Sequence, residues 1–396
     1  MRTKIILMAG GTETLDYFSR QLEKGFKALG FQTFLYDQKE EEESSRALAR
    51  FAGFSDAILV TFNFEGTCYE ASLHDGYGQS FWDKRDIPCV NIAVDHPFYY
   101  PDFLAMSMKQ KNFYEVSIDR CHMQYMKEYY PGIHGNYFLP LGGTSLFPDN
   151  NYPPLSRRKY DVVFTGNFTP KETFDCHIER LGEEYAVFYR AIIEELIQNP
   201  ALPDEMVMEQ HLKKEFPDIS KKELSETISN MIFIDTYIRF YFREKAVQML
   251  ADAGIRIHCI GFGWEKLSCK HPENLTYEGN VLSLDCLKRI SEAKLSLNVM
   301  PWFKDGAHDR VFNAMANGSI CITDHSRYLD EILADGKNVL FYDLKEMELL
   351  PQKVSSLLQN PEKMEFIAQN GYRLAIENHT WLKRAETLYQ MLLRKL

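Results

Sequence analysis

The sequence predicts an α/β protein of two domains, each built on a parallel sheet with helical crossovers. Three observations carry this. Short apolar runs alternate with amphipathic segments along the whole chain, as strands joined by crossover helices require. The character changes between residues 140 and 159, where Gly-Gly, Pro-Asp-Asn and Pro-Pro punctuation marks a linker. At 396 residues the chain is long for one core and suits two.

In the first domain, residues 1–150, an apolar run at 5–9 stops at Gly10-Gly11-Thr12, the turn into an amphipathic helix over 15–29. A strand at 32–36, an acidic helix over 39–51 and a strand at 57–62 follow. The glutamates at 40–43 suit a helix start, where the dipole favours negative charge. The next strand, 88–94, ends in Asp95-His96-Pro97. A strand at 115–118, a helix capped by Asp119 and a short strand at 137–139 complete the domain.

The second domain, residues 151–375, opens with a strand at 160–165 that ends in Gly166-Asn167. Residues 171–235 are helical with several breaks and form either an insertion or a lid. A helix over 236–253 carries Arg239 and Arg243 and leads to a strand at 256–260 closed by Gly261-Phe262-Gly263, where glycine lets backbone approach a ligand or simply makes a tight turn. A segment at 275–277, with Gly279 after it, a helix over 284–293 and the strands at 295–299, 319–323 and 339–342 continue the alternation. The last helix, residues 376–396, is set apart from the second domain.

Residues 295–324, LSLNVMPWFKDGAHDRVFNAMANGSICITD, read as strand, loop, helix and strand, with polar groups gathered in the loop. In a parallel sheet ligands bind beyond the carboxyl ends of strands, which places Asn298, His308, Arg310 and Asn313 where a small molecule would sit. Arg310 stands at a helix start, where unpaired N–H groups already favour an anion.

Composition narrows the function classes. A formal net charge of −11 argues against nucleic acid or an anionic membrane as a general partner. An anionic ligand then needs a local basic pocket, for which Arg239, Arg243, Lys245, Arg256 and Arg310 are candidates. The 8 cysteines are scattered without a Cys-x-x-Cys pair or metal-ligand spacing, as in a reduced cytoplasmic protein. No apolar run is long enough to span a membrane, and residues 4–9 read as a first strand rather than a leader.

The 295–324 segment resembles the donor-site signature of the GT-B glycosyltransferases, most nearly the CgeB-like branch of the glycosyltransferase group 1 superfamily. Asn298, Gly306, His308, Arg310, Ala314, Met315, Ala316, Gly318, Thr323 and Asp324 match it. Asn313 departs, standing where the family has a Glu that accepts hydrogen bonds from ribose hydroxyls; an amide oxygen can still accept, without charge. Gly166, Gly261, Gly263 and Tyr277 also fall in the family's order, Tyr277 at the segment lining the base pocket.

The resemblance implies two Rossmann-like domains facing across a cleft, with a helical insertion in the second and a final helix returning to the first. It implies a nucleotide-diphosphate sugar as donor substrate, no cofactor, and a saccharide, protein or small metabolite as acceptor. Donor binding would involve Gly166, Asn167, Arg243, Gly261, Gly263, Tyr277, Asn298, His308, Arg310, Asn313 and Ala314. Catalysis would draw on Arg310 and on Asp95 and His96, where the family places a His that reaches the donor sugar; His96 equally suits a cap on the backbone before Pro97. No Asp-x-Asp motif occurs, so a metal-bridged diphosphate is not expected. A nucleotide-sugar epimerase, or a non-catalytic nucleotide-sugar-binding partner of an active transferase, remains the alternative.

Overall fold

The computed structural model describes residues 2–68, 70–75 and 79–396. They form two compact units: residues up to Gly142 together with His379–Leu396, and Gly143–Asn378. No helix among the described residues is long and apolar enough to cross a membrane.

The first unit holds a six-stranded parallel sheet in the order β2-β1-β3-β4-β5-β6. Its strands are β1 (Lys4–Ala9), β2 (Gln32–Asp37), β3 (Ala57–Phe62), β4 (Cys89–Ala93), β5 (Phe113–Ser117) and β6 (His134–Phe138). β3 and β4 are buried along their whole length, as a sheet covered by helices on both faces demands. The helix Trp381–Met391 belongs to this unit and packs on the helix Glu13–Ala28. Gly25 permits the approach, since a Cβ there would lie 3.0 Å from Ala385 Cβ and from Trp381 O. The rings of Phe18 and Trp381 stand 5.0 Å apart in that contact.

The corner after β3 is strained, with Asn63 at φ 44° and Phe64 at φ 65°. Two such residues cost on the order of 1–3 kcal/mol each, and neighbouring structure must hold them. Asn91 Oδ1 accepts from Phe64 N at 2.7 Å, and Asn91 Nδ2 donates to Glu115 Oε2 at 3.0 Å. Asn63 Oδ1 accepts from Val94 N at 2.8 Å. Three adjacent strands thus fix one corner through buried side-chain amides.

The second unit carries strands β7 (Tyr160–Thr165), β8 (Ile257–Ile260), β9 (Leu275–Glu278), β10 (Ala293–Leu297), β11 (Ile320–Asp324) and β12 (Leu340–Tyr342). Their order is β12-β11-β10-β7-β8-β9, all pairs parallel. The chain therefore builds outward from β7 in one direction and from β10 in the other. The strand order reverses between them, and the crevice beyond the carboxyl ends of β7 and β10 is where such sheets hold ligands.

Between β7 and β8 lie the helices Glu183–Gln198, Asp204–Glu215, Lys221–Asn230 and Ile232–Asp252. The last begins before the residue 236 expected from sequence, because Ile234 and Asp235 are buried and extend its packed face. Lys304, in the loop after β10, ties the group to the sheet: its Nζ donates to Pro200 O at 2.8 Å and lies 3.2 Å from Asp204 Oδ1.

Replacing Asn91 with Ala leaves the buried Phe64 N–H and the Glu115 carboxyl without their partner. The variant is expected to lose about 1–3 kcal/mol of unfolding free energy in a denaturant titration, more than an exposed Asn→Ala control.

Candidate functional site

Glycines bring the loops after β7 and β8 together. Gly166, Gly261 and Gly263 have φ of 148°, 136° and 90°, and a Cβ on Gly261 would come 2.5 Å from Gly166 O. On Gly263 it would come 2.0 Å from Phe168 O. No other residue fits at Gly261 or Gly263 without moving backbone, and at Gly166 a Cβ would meet Arg310 Nη1 at 3.1 Å. The loops are then joined by Trp264 Nε1 donating to Gly166 O at 2.8 Å, Phe168 N to Phe262 O at 2.8 Å and Phe262 N to Asn167 Oδ1 at 3.0 Å. The Asn167 side chain is thus used to close the loop, and its carbonyl accepts from Arg243 Nη1 at 3.0 Å.

Three guanidinium groups converge on this crevice. Arg239 and Arg243 come from successive turns of the helix Ile232–Asp252, and Arg310 from the start of the helix Asp309–Ala316. Their Cζ atoms lie 4.3, 5.2 and 5.9 Å from the centroid of the Trp302 ring. Such contacts fall in the cation–π range. Arg310 Nη1 donates to Thr165 O at 2.7 Å, at the end of β7, which pins its guanidinium in the crevice. Arg239 is paired with the buried Asp235 at 2.7 Å.

Like charges this close raise one another's energy. Burial, together with repulsion from Arg239, pulls Arg310 down to about 10, and burial with repulsion from Arg310 and Arg239 pulls Arg243 well below the ordinary arginine range. Arg310 Nη2 and Arg243 Nε are nevertheless buried without a hydrogen-bond partner. Buried donors almost always have partners, so two charged ones in one crevice mark a place for an anion.

His308 caps the helix Asp309–Ala316, its Nδ1 3.3 Å from Arg310 N and 2.5 Å from Asp309 Oδ1. The first contact needs a bare Nδ1 and the second a protonated one. Arg310 Nε also points at Nδ1, at 3.3 Å, so two donors of Arg310 and one carboxylate oxygen of Asp309 crowd that ring atom. Burial and the Arg310 charge push His308 down to about 4, so the ring is neutral at physiological pH. Burial opposes ionisation of Asp309, yet His308 and Arg310 hold it below the usual carboxylate range.

At the ends of β10 and β11, Asn298 Nδ2 donates to Thr323 Oγ1 at 2.9 Å and Tyr342 Oη donates to Asn298 O at 3.0 Å. Asp324 Oδ1 accepts from Met300 N at 2.8 Å and so sets the course of the loop that bears Trp302. Asn298 Oδ1 and Asp324 Oδ2 are buried without a hydrogen-bond partner. Burial pushes Asp324 up to about 6.

Gly166, Asn167, Gly261, Gly263, Arg243 and Arg310 are therefore joined in one cluster, with Asn298 and His308 on the adjoining loop. Ala314 is buried inside the helix that Arg310 begins. Asn313 serves the backbone: its Oδ1 accepts from Thr144 N at 2.9 Å and its Nδ2 donates to Asp309 Oδ2 at 2.8 Å. Tyr277 stands half-exposed on the edge strand β9, two strands from β7. Arg256 does not join the basic pocket, because it precedes β8 and pairs with Asp161 at 2.7 Å near the amino ends of the strands. Trp302 was not anticipated, since it stands in the run Val299–Phe303, which reads as apolar packing.

In the first unit, Asp95 Oδ2 accepts from Tyr100 Oη at 2.8 Å and from Asn63 Nδ2 at 3.2 Å. His96 is buried, its Nδ1 accepting from Phe98 N at 3.2 Å and its ring packed against Phe98, His122 and Tyr125. It performs the capping that its position before Pro97 suggested.

Residues 243–390 match the model of a glycosyl transferase-like family. None of the curated proteins matches the chain. Among solved structures, the sucrose-phosphate synthase from Thermosynechococcus elongatus superposes with a TM-score of 0.54 at 11% identity, covering 100% of both chains. HepE from Anabaena, in complex with UDP and glucose, gives 0.52 at 10% identity, again covering 100% of each. An alpha-glucosyltransferase in complex with UDP gives 0.58 at 11% identity over 98% of this chain and 99% of that one. The fold is GT-B. Within this GT-B chain, the family match takes in Arg243, both glycines after β8, Trp302 and Arg310, and so spans most of the arginine crevice.

The Asp324 shift gives a pH test. A carboxyl raised from 3.8 to about 6 is most stabilising when protonated, and that contribution fades as pH rises through 6. Asp324→Asn keeps an acceptor for Met300 N and removes the titration. Between pH 4 and 7 the wild type is expected to lose up to about 3 kcal/mol relative to the variant, read as the difference between their denaturation curves.

Proposed function

We propose that the protein is a glycosyltransferase that takes a sugar from a nucleotide-diphosphate donor held by the second unit. The observation that carries this reading is the set of three guanidinium groups around Trp302, two of them with buried donor atoms lacking partners, at the strand-order reversal of a GT-B sheet. A diphosphate supplies the acceptor oxygens that Arg310 Nη2 and Arg243 Nε require. The glycosyl transferase-like match over the same residues, and the UDP complexes of two GT-B neighbours, support a nucleotide-sugar donor, with UDP the first to try.

In the reaction, an acceptor nucleophile attacks the anomeric carbon and the bond to the diphosphate oxygen breaks, its electron pair leaving with the diphosphate, which takes up the proton that the nucleophile gives up. Arginines already fixed on Thr165 O and Asn167 O stabilise that growing charge without reorganising. Neutral His308 offers Nε2 to a sugar hydroxyl. Asn298 Oδ1 offers an acceptor. The CgeB-like assignment, metal independence and a cytoplasmic setting belong to this proposal, as does an acceptor of saccharide, protein or small-metabolite type.

Calorimetric titration with UDP, GDP, ADP and UDP-glucose tests the reading. One nucleotide is expected to bind, and Arg310→Ala or Arg243→Ala to weaken it by about 1.5–3 kcal/mol, the worth of a charged hydrogen bond. Failure of every nucleotide to bind, or equal affinity in both variants, contradicts it. Product analysis with the bound nucleotide's sugars then separates transfer from epimerisation and from binding without turnover.

A further inference from the structure

We propose that the helical insertion sets the donor crevice through a buried tie between Asp204 and Lys304, and that these two act as positioning residues for the nucleotide. The inference rests on the donor reading and extends it from the arginines to the element that holds them in place.

Lys304 stands two residues after Trp302 in the loop that follows β10, and it is buried. Pro200 O accepts from its Nζ at 2.8 Å, Pro301 O accepts from it as well, and Asp204 Oδ1 lies 3.2 Å away. Pro301 belongs to the loop itself, whereas Pro200 and Asp204 belong to the insertion. One ammonium therefore fastens the loop that presents Trp302 to the start of the helix Asp204–Glu215. The main chain is held at the same place, Lys304 O accepting from Arg327 N at 2.9 Å.

The other end of the tie reaches Arg239. Asp204 is buried and faces Lys304 from the loop, Asp235 from the helix Ile232–Asp252 and Glu205 from its own helix. Asp235 pairs with Arg239, whose guanidinium packs on Trp302. Asp204 thus faces both the group that places Trp302 and the group that places Arg239. A buried ion pair adds little net stability, because lost hydration offsets the attraction. What it supplies is direction, since no water stands ready to replace a partner that moves away. Burial pushes the Asp204 carboxyl up to about 7 against the pull of Lys304, with repulsion from Asp235 and Glu205 adding to the rise. The carboxyl is half ionised at neutral pH, so the tie strengthens as pH rises through 7.

Calorimetry of the full-length chain with UDP, GDP and ADP at pH 6 and 8 tests this. For the nucleotide that the wild type binds, the ratio of wild-type to Asp204→Asn affinity is expected to rise by about threefold to tenfold from the lower pH to the higher. Taking the ratio removes the titrations of the nucleotide and of Asp324, which also faces Lys304. A through-space effect of the carboxylate on the diphosphate has the opposite sign, because like charges repel. Lys304→Met, an apolar chain of similar length, is expected to weaken binding at both pH values, and adding Asp204→Asn to change nothing further, because the two residues act through one contact. A ratio that is flat or falls, or additive losses in the double variant, would overturn the inference while wild-type binding leaves the donor reading standing. No nucleotide bound by the wild type would remove both. The pH comparison needs only the wild type and Asp204→Asn, so it decides the matter even if Lys304→Met fails to fold.

Discussion

Three positive charges gathered around one indole ring are the constraint on which the second unit turns. Arg239, Arg243 and Arg310 repel one another in a partly desolvated crevice, and a cluster of that kind persists only if the surrounding structure over-determines it. The offsets are specific. Asp235 pairs Arg239, Asp309 faces Arg310, two loop carbonyls fix one Nη1 each, and Trp302 turns its ring toward all three. None of these satisfies Arg310 Nη2 or Arg243 Nε. An anion bound there would neutralise the repulsion and pair the donors together, which is the part the proposed diphosphate plays.

Much of the remaining architecture serves to hold that cluster. The glycine loops let the chain ends of β7 and β8 close to within contact, which puts two carbonyls where the guanidinium groups need acceptors. The long helix Ile232–Asp252 delivers two arginines one turn apart on one side. Asp324 and Lys304 hold the loop that presents Trp302, from below and from the helical insertion respectively. Asn313 and Asn317 anchor residues 144–146 to the helix that begins with Arg310. The Asn at 313 thus acquires a structural reason: its amide can accept from Thr144 N and donate to Asp309 at once, which a carboxylate cannot.

The parallel sheets were legible in the sequence because both faces of each are covered, and buried strands read as continuous apolar runs. Arg310, His308 and Asn298 were legible because strand end, loop and helix start are consecutive in the chain. Arg239 and Arg243 were candidates on charge alone; only helix packing shows where they point. Arg256 was misplaced by its closeness in sequence to the glycine loop, although the strand carries the two to opposite ends of the sheet. Trp302 was hidden because an aromatic residue in a loop gives no sign of which charges will surround it. Glu115 was hidden for the opposite reason: a Glu in a strand ordinarily faces water, and its burial follows from the helix Arg120–Tyr129 lying over β5.

The central claim is that the crevice binds the diphosphate of a nucleotide sugar. The most direct measurement is a crystal structure of the protein soaked with UDP or the nucleotide that calorimetry selects. The account predicts phosphate oxygens within hydrogen-bond distance of Arg310 Nη2 and Arg243 Nε, with the guanidinium groups still ranged about Trp302. Nucleotide density elsewhere, with the arginine donors still unpartnered, would contradict it.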